Sequence, residues 1–315
     1  MFAKPLLTRL KPYLRWVILG GTLFFIAKTL KDNWQEVIAI EVSARAWPIL
    51  ALALGITLLA HIWSGWVWHW ILAMFNQHFG GGWSTRVYLK TNVAKYLPGN
   101  VWHFYGRVKA LQERETPTGI AVLSVVMEPL LMAVAALILG CLGDWQLAAS
   151  PWRLGQVAVL GGALISVHPY IFNPVLQTLS RAKAKAQRLP LADEKPPQLK
   201  TYPLRPLLGE LGFVALRSLG FVCTVAALQP LTVEIVQSLI GAFSLAWLLG
   251  LVVPGAPGGI GVFEATAISL LSGQLPTAII LSSIAFYRLL STLAEIAGAA
   301  LAWLLEKAMG TARAQ

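Results

Sequence analysis

Four ionisable side chains, Glu128, Arg217, Arg288 and Glu295, fall inside long apolar runs, and two more, Arg107 and Glu264, follow sharp Pro/Gly turns that interrupt such runs. On insertion scales a charge at the centre of a membrane helix costs roughly 2.5 to 3.5 kcal/mol, so these groups are expected to face the protein interior and find partners. Arg288 and Glu295 are seven apart, two turns along one helical face, with Ser291 between them. The first turn carries Lys95 and Arg107 with Glu128 further on, whereas the second carries Glu264 with Arg288 further on. Ion pairs between the two halves are the simplest expectation, whether they hold the halves together or line a polar cavity.

The turns themselves are unusual. VVPGAPGGIGVFEA (252–265) and KYLPGNVWHFYGR (95–107) place Pro and Gly between apolar segments. Irregular backbone at membrane depth is tolerated only where it is buried in protein or lines a wet cavity. Pro254, Gly255, Pro257, Gly258, Gly259 and Gly261 allow a sharp reversal, after which IGVFEATAISLL resumes a helical pattern. The resumed helix starts with free N–H groups and the positive end of its dipole, which suits phosphate or another anion. Pro98, Gly99 and Asn100 do likewise in the first turn, with Asn100 as the N-cap.

Composition sets the frame for these residues. The chain has 315 residues, 57% of them hydrophobic and 12% charged, against roughly 25% charged in an average soluble domain. Its mean hydropathy is +0.65, which points to a polytopic membrane protein. The net charge of +11 then reports topology and basic loops near anionic headgroups rather than nucleic-acid binding. Cys141 and Cys223 lie in apolar runs and read as small buried hydrophobes. No Walker loop, GxSxG elbow, Rossmann fingerprint or HExxH pair is present. No enzyme activity, cofactor or metal is therefore expected. The histidines read as structural, with His103 beside the first turn as the exception, and Trp16, Trp34, Trp47, Trp83, Trp145 and Trp152 as interfacial anchors.

Apolar runs of about 20 residues, enough to cross about 30 Å of hydrocarbon, occur near 13–30, 46–74, 118–142, 153–174, 205–228 and 277–305. The expected fold is all-α: six full spans plus two broken or re-entrant helix hairpins, at 84–113 and 234–273, in a single membrane domain over 1–315. The alternative is that Pro and Gly merely kink ordinary spanning helices. A basic linker, 175–204, separates a first half (13–142) from a second (153–305). Lys and Arg gather on one side if both termini are cytoplasmic. Three crossings per half then make an inverted-topology repeat, in which Pro98 precedes Glu128 by 30 residues and Pro257 precedes Arg288 by 31. Paired interruptions of this kind point to a transporter's central site.

The two turn motifs together resemble the membrane domain of the lysylphosphatidylglycerol synthase/flippase family, also called multiple peptide resistance factor, over nearly the whole chain. The resemblance implies a bacterial or archaeal cytoplasmic-membrane protein with two re-entrant segments that moves lipids between leaflets. By motif match it brings forward Lys95, Pro98, Gly99, Asn100 and Arg107, and Pro257, Gly258, Gly259, Gly261 and Glu264. The aminoacyl transferase domain of the full-length synthases has no counterpart before Gln315, so lipid aminoacylation is not expected. The resemblance also raises a homodimer and a separate lipid synthase as partners. The leading expectation is a translocase for a lipid with an anionic headgroup. A small-solute secondary transporter and a membrane-embedded lipid-modifying enzyme, using Glu128 or Glu264 as base, remain alternatives.

Overall fold

A computed structural model describes residues 42–97, 101–143, 152–174, 198–253 and 259–313, with short pieces between 24 and 39 and at 177–178. Most of the expected span at 13–30 and of the 175–204 linker, and Trp16, Pro98, Gly99, Asn100, Trp145, Pro254, Gly255, Pro257 and Gly258, lie outside the described residues. These form helices and no strand: α1 (Trp34–Ile38), α2 (Ala46–Met74), α3 (Gly81–Asn92) running into a 3-10 turn (Val93–Tyr96), α4 (Trp102–Gln112), α5 (Thr118–Gly143), α6 (Trp152–Ser166), α7 (Leu204–Ala226), α8 (Val233–Val252), α9 (Val262–Leu271) and α10 (Thr277–Arg313).

Among the described residues five helices are long and apolar enough to cross a membrane: α2, α5, α7, α8 and the Thr277–Met309 part of α10. Four of these match expected spans. The fifth, α8, opens the segment expected to be a second broken hairpin, and its 20 residues reach about 30 Å at 1.5 Å per residue. By contrast, α6, expected to span, has 15 residues and reaches only about 22 Å. The two interrupted segments therefore differ: the first has two short arms, α3 and α4, and the second one long arm and one short.

Both interruptions begin in the same way. Leu97 and Val253 each precede a proline in the sequence, and each turns out of the helix to extended backbone at φ −71°, as the steric demand of a following proline requires. The second ends at Gly259 (φ 71°) and Gly261 (φ 91°), left-handed values that a side chain would strain. By comparison, Pro129 lies inside α5 and removes one helical hydrogen bond beside Glu128 without ending the helix.

The outward faces of the helices are apolar, and the interior mixes apolar packing with buried polar groups. Val122, Val126 and Leu130 on α5, and Leu289, Leu293 and Ile296 on α10, form exposed apolar stripes, while Thr57, His61, Ser64, Glu128, Glu210, Arg217, Ser291 and Glu295 are buried. That order suits lipid as the surrounding solvent, because hydrocarbon is as apolar as the exposed side chains and leaves packing and hydrogen bonds to hold helices together.

Packing centres on α2 and α7. Glycines let them approach: a Cβ on Gly209 would lie 2.6 Å from Val67, and one on Gly220 would lie 2.6 Å from the Thr57 hydroxyl. Trp63 Nε1 donates across this seam to the Gly209 carbonyl at 2.7 Å. One apolar cluster joins α2, α3 and α5 to Leu207, Phe213 and Val214 of α7. A second joins Phe221, Val222 and Val225 of α7 to α8, α9 and the start of α10, with Phe221, Phe243 and Tyr287 packed mutually at centroid distances of 5.4 to 5.5 Å. Arg217 lies on α7 between the two clusters.

The tightest crossing is α5 on α8, where a Cβ on Gly143 would sit 2.3 Å from the Gly241 Cα. Backbone cannot give way as a side chain can, so Gly143→Leu should destabilise the fold by about 1–3 kcal/mol or more, read as a lower melting temperature in detergent. Gly55→Leu, where nothing lies within 4 Å, should leave that temperature unchanged.

Candidate functional site

Apart from Glu210, the charges inside the helix bundle gather, among the described residues, at one centre and two flanking pairs. At the centre, Lys95 Nζ in the 3-10 turn donates to Glu295 Oε1 of α10 at 2.5 Å, with the Lys95 side chain 24% exposed and that of Glu295 fully buried. His61 Nε2 of α2 lies 3.2 Å from the same oxygen and 3.1 Å from Arg217 Nη1 of α7. One imidazole nitrogen cannot donate to a carboxylate and accept from a guanidinium at once, so the tautomer of His61 decides which neighbour it serves. Arg217 also donates to Ser291 Oγ at 2.8 Å and lies 5.2 Å from the Tyr287 ring, whose hydroxyl donates to the Arg217 carbonyl at 3.1 Å. Tyr287, Ser291 and Glu295 are spaced four apart along α10 and so share one face. Beside them the hydroxyls of Tyr96 and Thr292 meet at 3.1 Å.

The charge balance at this centre is uneven. Lys95 is matched by Glu295. Arg217, only 8% exposed, has no carboxylate within 4.0 Å among the described residues, and its Nε has no hydrogen-bond partner among them. His61 Nδ1 and Glu295 Oε2 also lack partners there.

The flanking pairs follow the two interruptions. Arg107 on α4 is bonded to Glu128 on α5, both side chains buried. The Arg107 guanidinium lies 4.8 Å from the Tyr88 ring, 5.4 Å from Phe104 and 5.7 Å from Trp68. Ser64 Oγ is 3.2 Å from Glu128 Oε1 and 3.0 Å from Tyr88 Oη; with one proton it can give to only one of them. On the other side, Arg288 Nε of α10 donates to Glu264 Oε1 of α9 at 2.8 Å, and Arg288 Nη2 donates to the Gly259 carbonyl at 3.3 Å. This pair is more open, with Arg288 34% exposed.

Several expectations change. Of the ion pairs among the singled-out residues, Lys95–Glu295 joins the two halves of the sequence, whereas Arg107–Glu128 and Glu264–Arg288 each close within one half. Arg288 and Glu295, expected along one wall, turn to different partners. The start of α9 does not offer its first N–H to a ligand, because Glu264 Oε2 accepts it from Gly261 at 2.6 Å, the carboxylate that Arg288 also holds. In the first turn the capping position falls on Val101 rather than Asn100, with no side-chain cap, since valine has no acceptor. His103 is buried on α4 against Phe104, with ring centroids 3.8 Å apart, and its Nδ1 has no partner among the described residues.

Two buried groups were missed. His61 has no metal-ligand spacing to mark it, and its signal is its place in the middle of an apolar run. Glu210 lies near the start of α7 and is fully buried. Its signal was its spacing of seven from Arg217, the same two-turn interval that drew attention to Arg288 and Glu295. Apart from the charged centre, a groove of about 560 Å³ opens beside Trp63, Trp70, Tyr202, Leu204, Arg205 and Leu208, with the Arg205 guanidinium 4.5 Å from the Trp70 ring.

Long lipid-compatible helices around a buried polar centre define a multi-pass membrane protein. More narrowly, the chain belongs to the lysylphosphatidylglycerol synthase transmembrane-region family, whose model matches residues 14–299. Comparison with curated proteins gives no match.

The Arg107–Glu128 pair can be tested for structural weight. Glu128→Gln leaves a buried guanidinium unpaired and should lower stability by about 3–5 kcal/mol, whereas the double change Arg107→Met with Glu128→Leu removes both charges and should recover most of that loss. Thermal unfolding in detergent of the two variants beside the wild type checks both parts.

Proposed function

We propose that this chain moves an anionic lipid between membrane leaflets, taking the headgroup at Arg217 and Lys95. The carrying observation is the uneven charge of the buried centre: two cations, one carboxylate, and a guanidinium with an unused donor. A buried ion without a counter-ion is costly, several kcal/mol, and such groups in membrane segments mark substrate or ion pathways. Membership of a family defined on the membrane region of a lipid synthase supports a lipid rather than a soluble cargo. His61 deepens the reading, because an anion drawing Arg217 away would free the imidazole to donate to Glu295.

The two flanking pairs support an inverted-topology repeat. Each links the short helix after an interruption to the next span, with a separation of 21 residues for Arg107–Glu128 and 24 for Glu264–Arg288, and with the charges exchanged. Pro98, Gly99 and Asn100 in one half, and Pro257 and Gly258 in the other, belong to the interruptions themselves. In this reading the halves rock against each other about the centre and the interrupted segments serve as its gates. Transport is preferred over lipid modification because Glu128 and Glu264, the two carboxylates considered as bases, are each held by an arginine.

Reconstitution in vesicles with fluorescent phosphatidylglycerol, read by quenching of the outer leaflet, tests this. The wild type should exceed the empty-vesicle rate, and Arg217→Ala should lower the excess by about tenfold, the ratio for about 1.4 kcal/mol, with fluorescent phosphatidylcholine unaffected. A wild-type rate no higher than that of empty vesicles, for each of several anionic lipids, would sink the reading and turn attention to small anionic solutes.

A further inference from the structure

The transport just described gives no role to Glu210, the most deeply buried of the ionisable groups it leaves aside among the described residues. Glu210 is 0% exposed, and neither of its carboxylate oxygens has a hydrogen-bond partner among the described residues. The charges that act on it are Glu128 of α5 and Arg107 of α4, and the Tyr88 hydroxyl of α3 feels it in turn. From the other elements packed against α7, His61 of α2 is engaged with Glu295 and Arg217. Glu295 and Arg288 of α10 are engaged with Lys95 and Glu264. The acid of α8, Glu234, is exposed in that helix's first turn.

Arg107 is thus the nearby cation for two buried carboxylates, and Glu128 holds it. Three aromatic rings around the guanidinium hold it in place, so it is not free to swing to Glu210. Two turns further along the same face of α7, about 10 Å away at 1.5 Å per residue, Arg217 has the opposite deficiency. A buried carboxylate with no donor is a costly ion, and a proton is the smallest group that removes its charge. With a proton on Glu210, the interior keeps one uncompensated cation at Arg217 and can take an anion there. With Glu210 ionised, the two charges on α7 balance and the anion is repelled.

We propose that Glu210 is a proton-binding site linked to the anion site at Arg217, so that one proton enters and leaves with each anion. The carboxylate takes the proton from the aqueous phase on the side where the anion loads and returns it to water on the side where the anion leaves; no other reactant is needed. This rests on the placement of the anion at Arg217.

Infrared difference spectroscopy on the full chain in phosphatidylcholine vesicles tests the link, by adding phosphatidylglycerol to one sample and inorganic phosphate to another. A carbonyl band of a protonated carboxylic acid should grow with phosphatidylglycerol and be lost in Glu210→Gln, an isosteric change whose folding is checked by circular dichroism. It should persist in Glu306→Gln, which alters an exposed acid paired with Lys90, away from the buried centre. If Glu210→Gln does not fold, the wild-type band alone decides, through a pH midpoint that moves upward when phosphatidylglycerol is present. Growth with inorganic phosphate also supports the link and names a soluble anion as its source. A band that ignores both anions, or that persists unchanged in Glu210→Gln, overturns the proposal. Should the band respond to phosphatidylglycerol while fluorescent lipid does not cross the bilayer, the translocase reading fails and the proton site stands. Should lipid cross with no such band, the proton site alone falls.

Discussion

The carboxylate of Glu295 is fully buried and is held by Lys95 at 2.5 Å, with His61 at 3.2 Å. Because each ion taken out of water costs several kcal/mol unless its geometry is well satisfied, this contact demands that four elements reach one point: α2, the 3-10 turn before the first interruption, α7 through Arg217, and α10. The rest of the architecture follows from that demand. Glycines at 209 and 220 bring α7 close enough to α2 for Arg217 to reach His61. The residue before Pro98 ends the first arm at Leu97, which leaves Lys95 on a short turn at the edge of the centre rather than on the side of a long helix.

Lipid as solvent explains why these polar contacts carry so much. With apolar stripes facing outward, there is little hydrophobic gain in helix association, and specificity passes to close backbone approach and to the few buried polar groups. Each flanking pair ties a short helix to a span: Arg107 to Glu128, and Glu264 to Arg288. The first is sealed among aromatic rings, whereas the second is a third exposed on its arginine side and also braces the Gly259 carbonyl and the Gly261 N–H. The more open pair therefore sits beside the two left-handed glycines, at positions where a side chain would be strained.

Much of this was legible in the sequence because depth and breakage are one-dimensional properties. Apolar run length places α2, α5 and α7 to within two residues and the start of α10, which continues past the expected end at 305 to Arg313, and Pro98 and Pro254 mark where helices stop. Glu128, Arg217, Arg288 and Glu295 stand out because a charge in an apolar run needs a partner, and Lys95, Arg107 and Glu264 because they belong to the two turn motifs. What stayed hidden was which partner. Azimuth around each helix, and the order of helices around the centre, decide that Glu295 meets Lys95 and that Glu264 folds back on its own helix start. Helix length was read poorly where a run was long but a turn intervened, as after Ser166 in α6. His61 and Glu210 are inconspicuous in the sequence because their meaning depends on the residues that share or face their side of the helix.

The central claim is that the uncompensated guanidinium of Arg217 is where an anion belongs. Native mass spectrometry after gentle detergent extraction addresses it directly, comparing the wild type with Arg217→Ala and with Arg288→Ala, which alters the more exposed flanking pair. The account predicts an anionic lipid class enriched on the wild type, retained on Arg288→Ala and lost on Arg217→Ala. The same bulk lipid on all three proteins would contradict it and leave Arg217 as a structural bridge between His61 and Ser291.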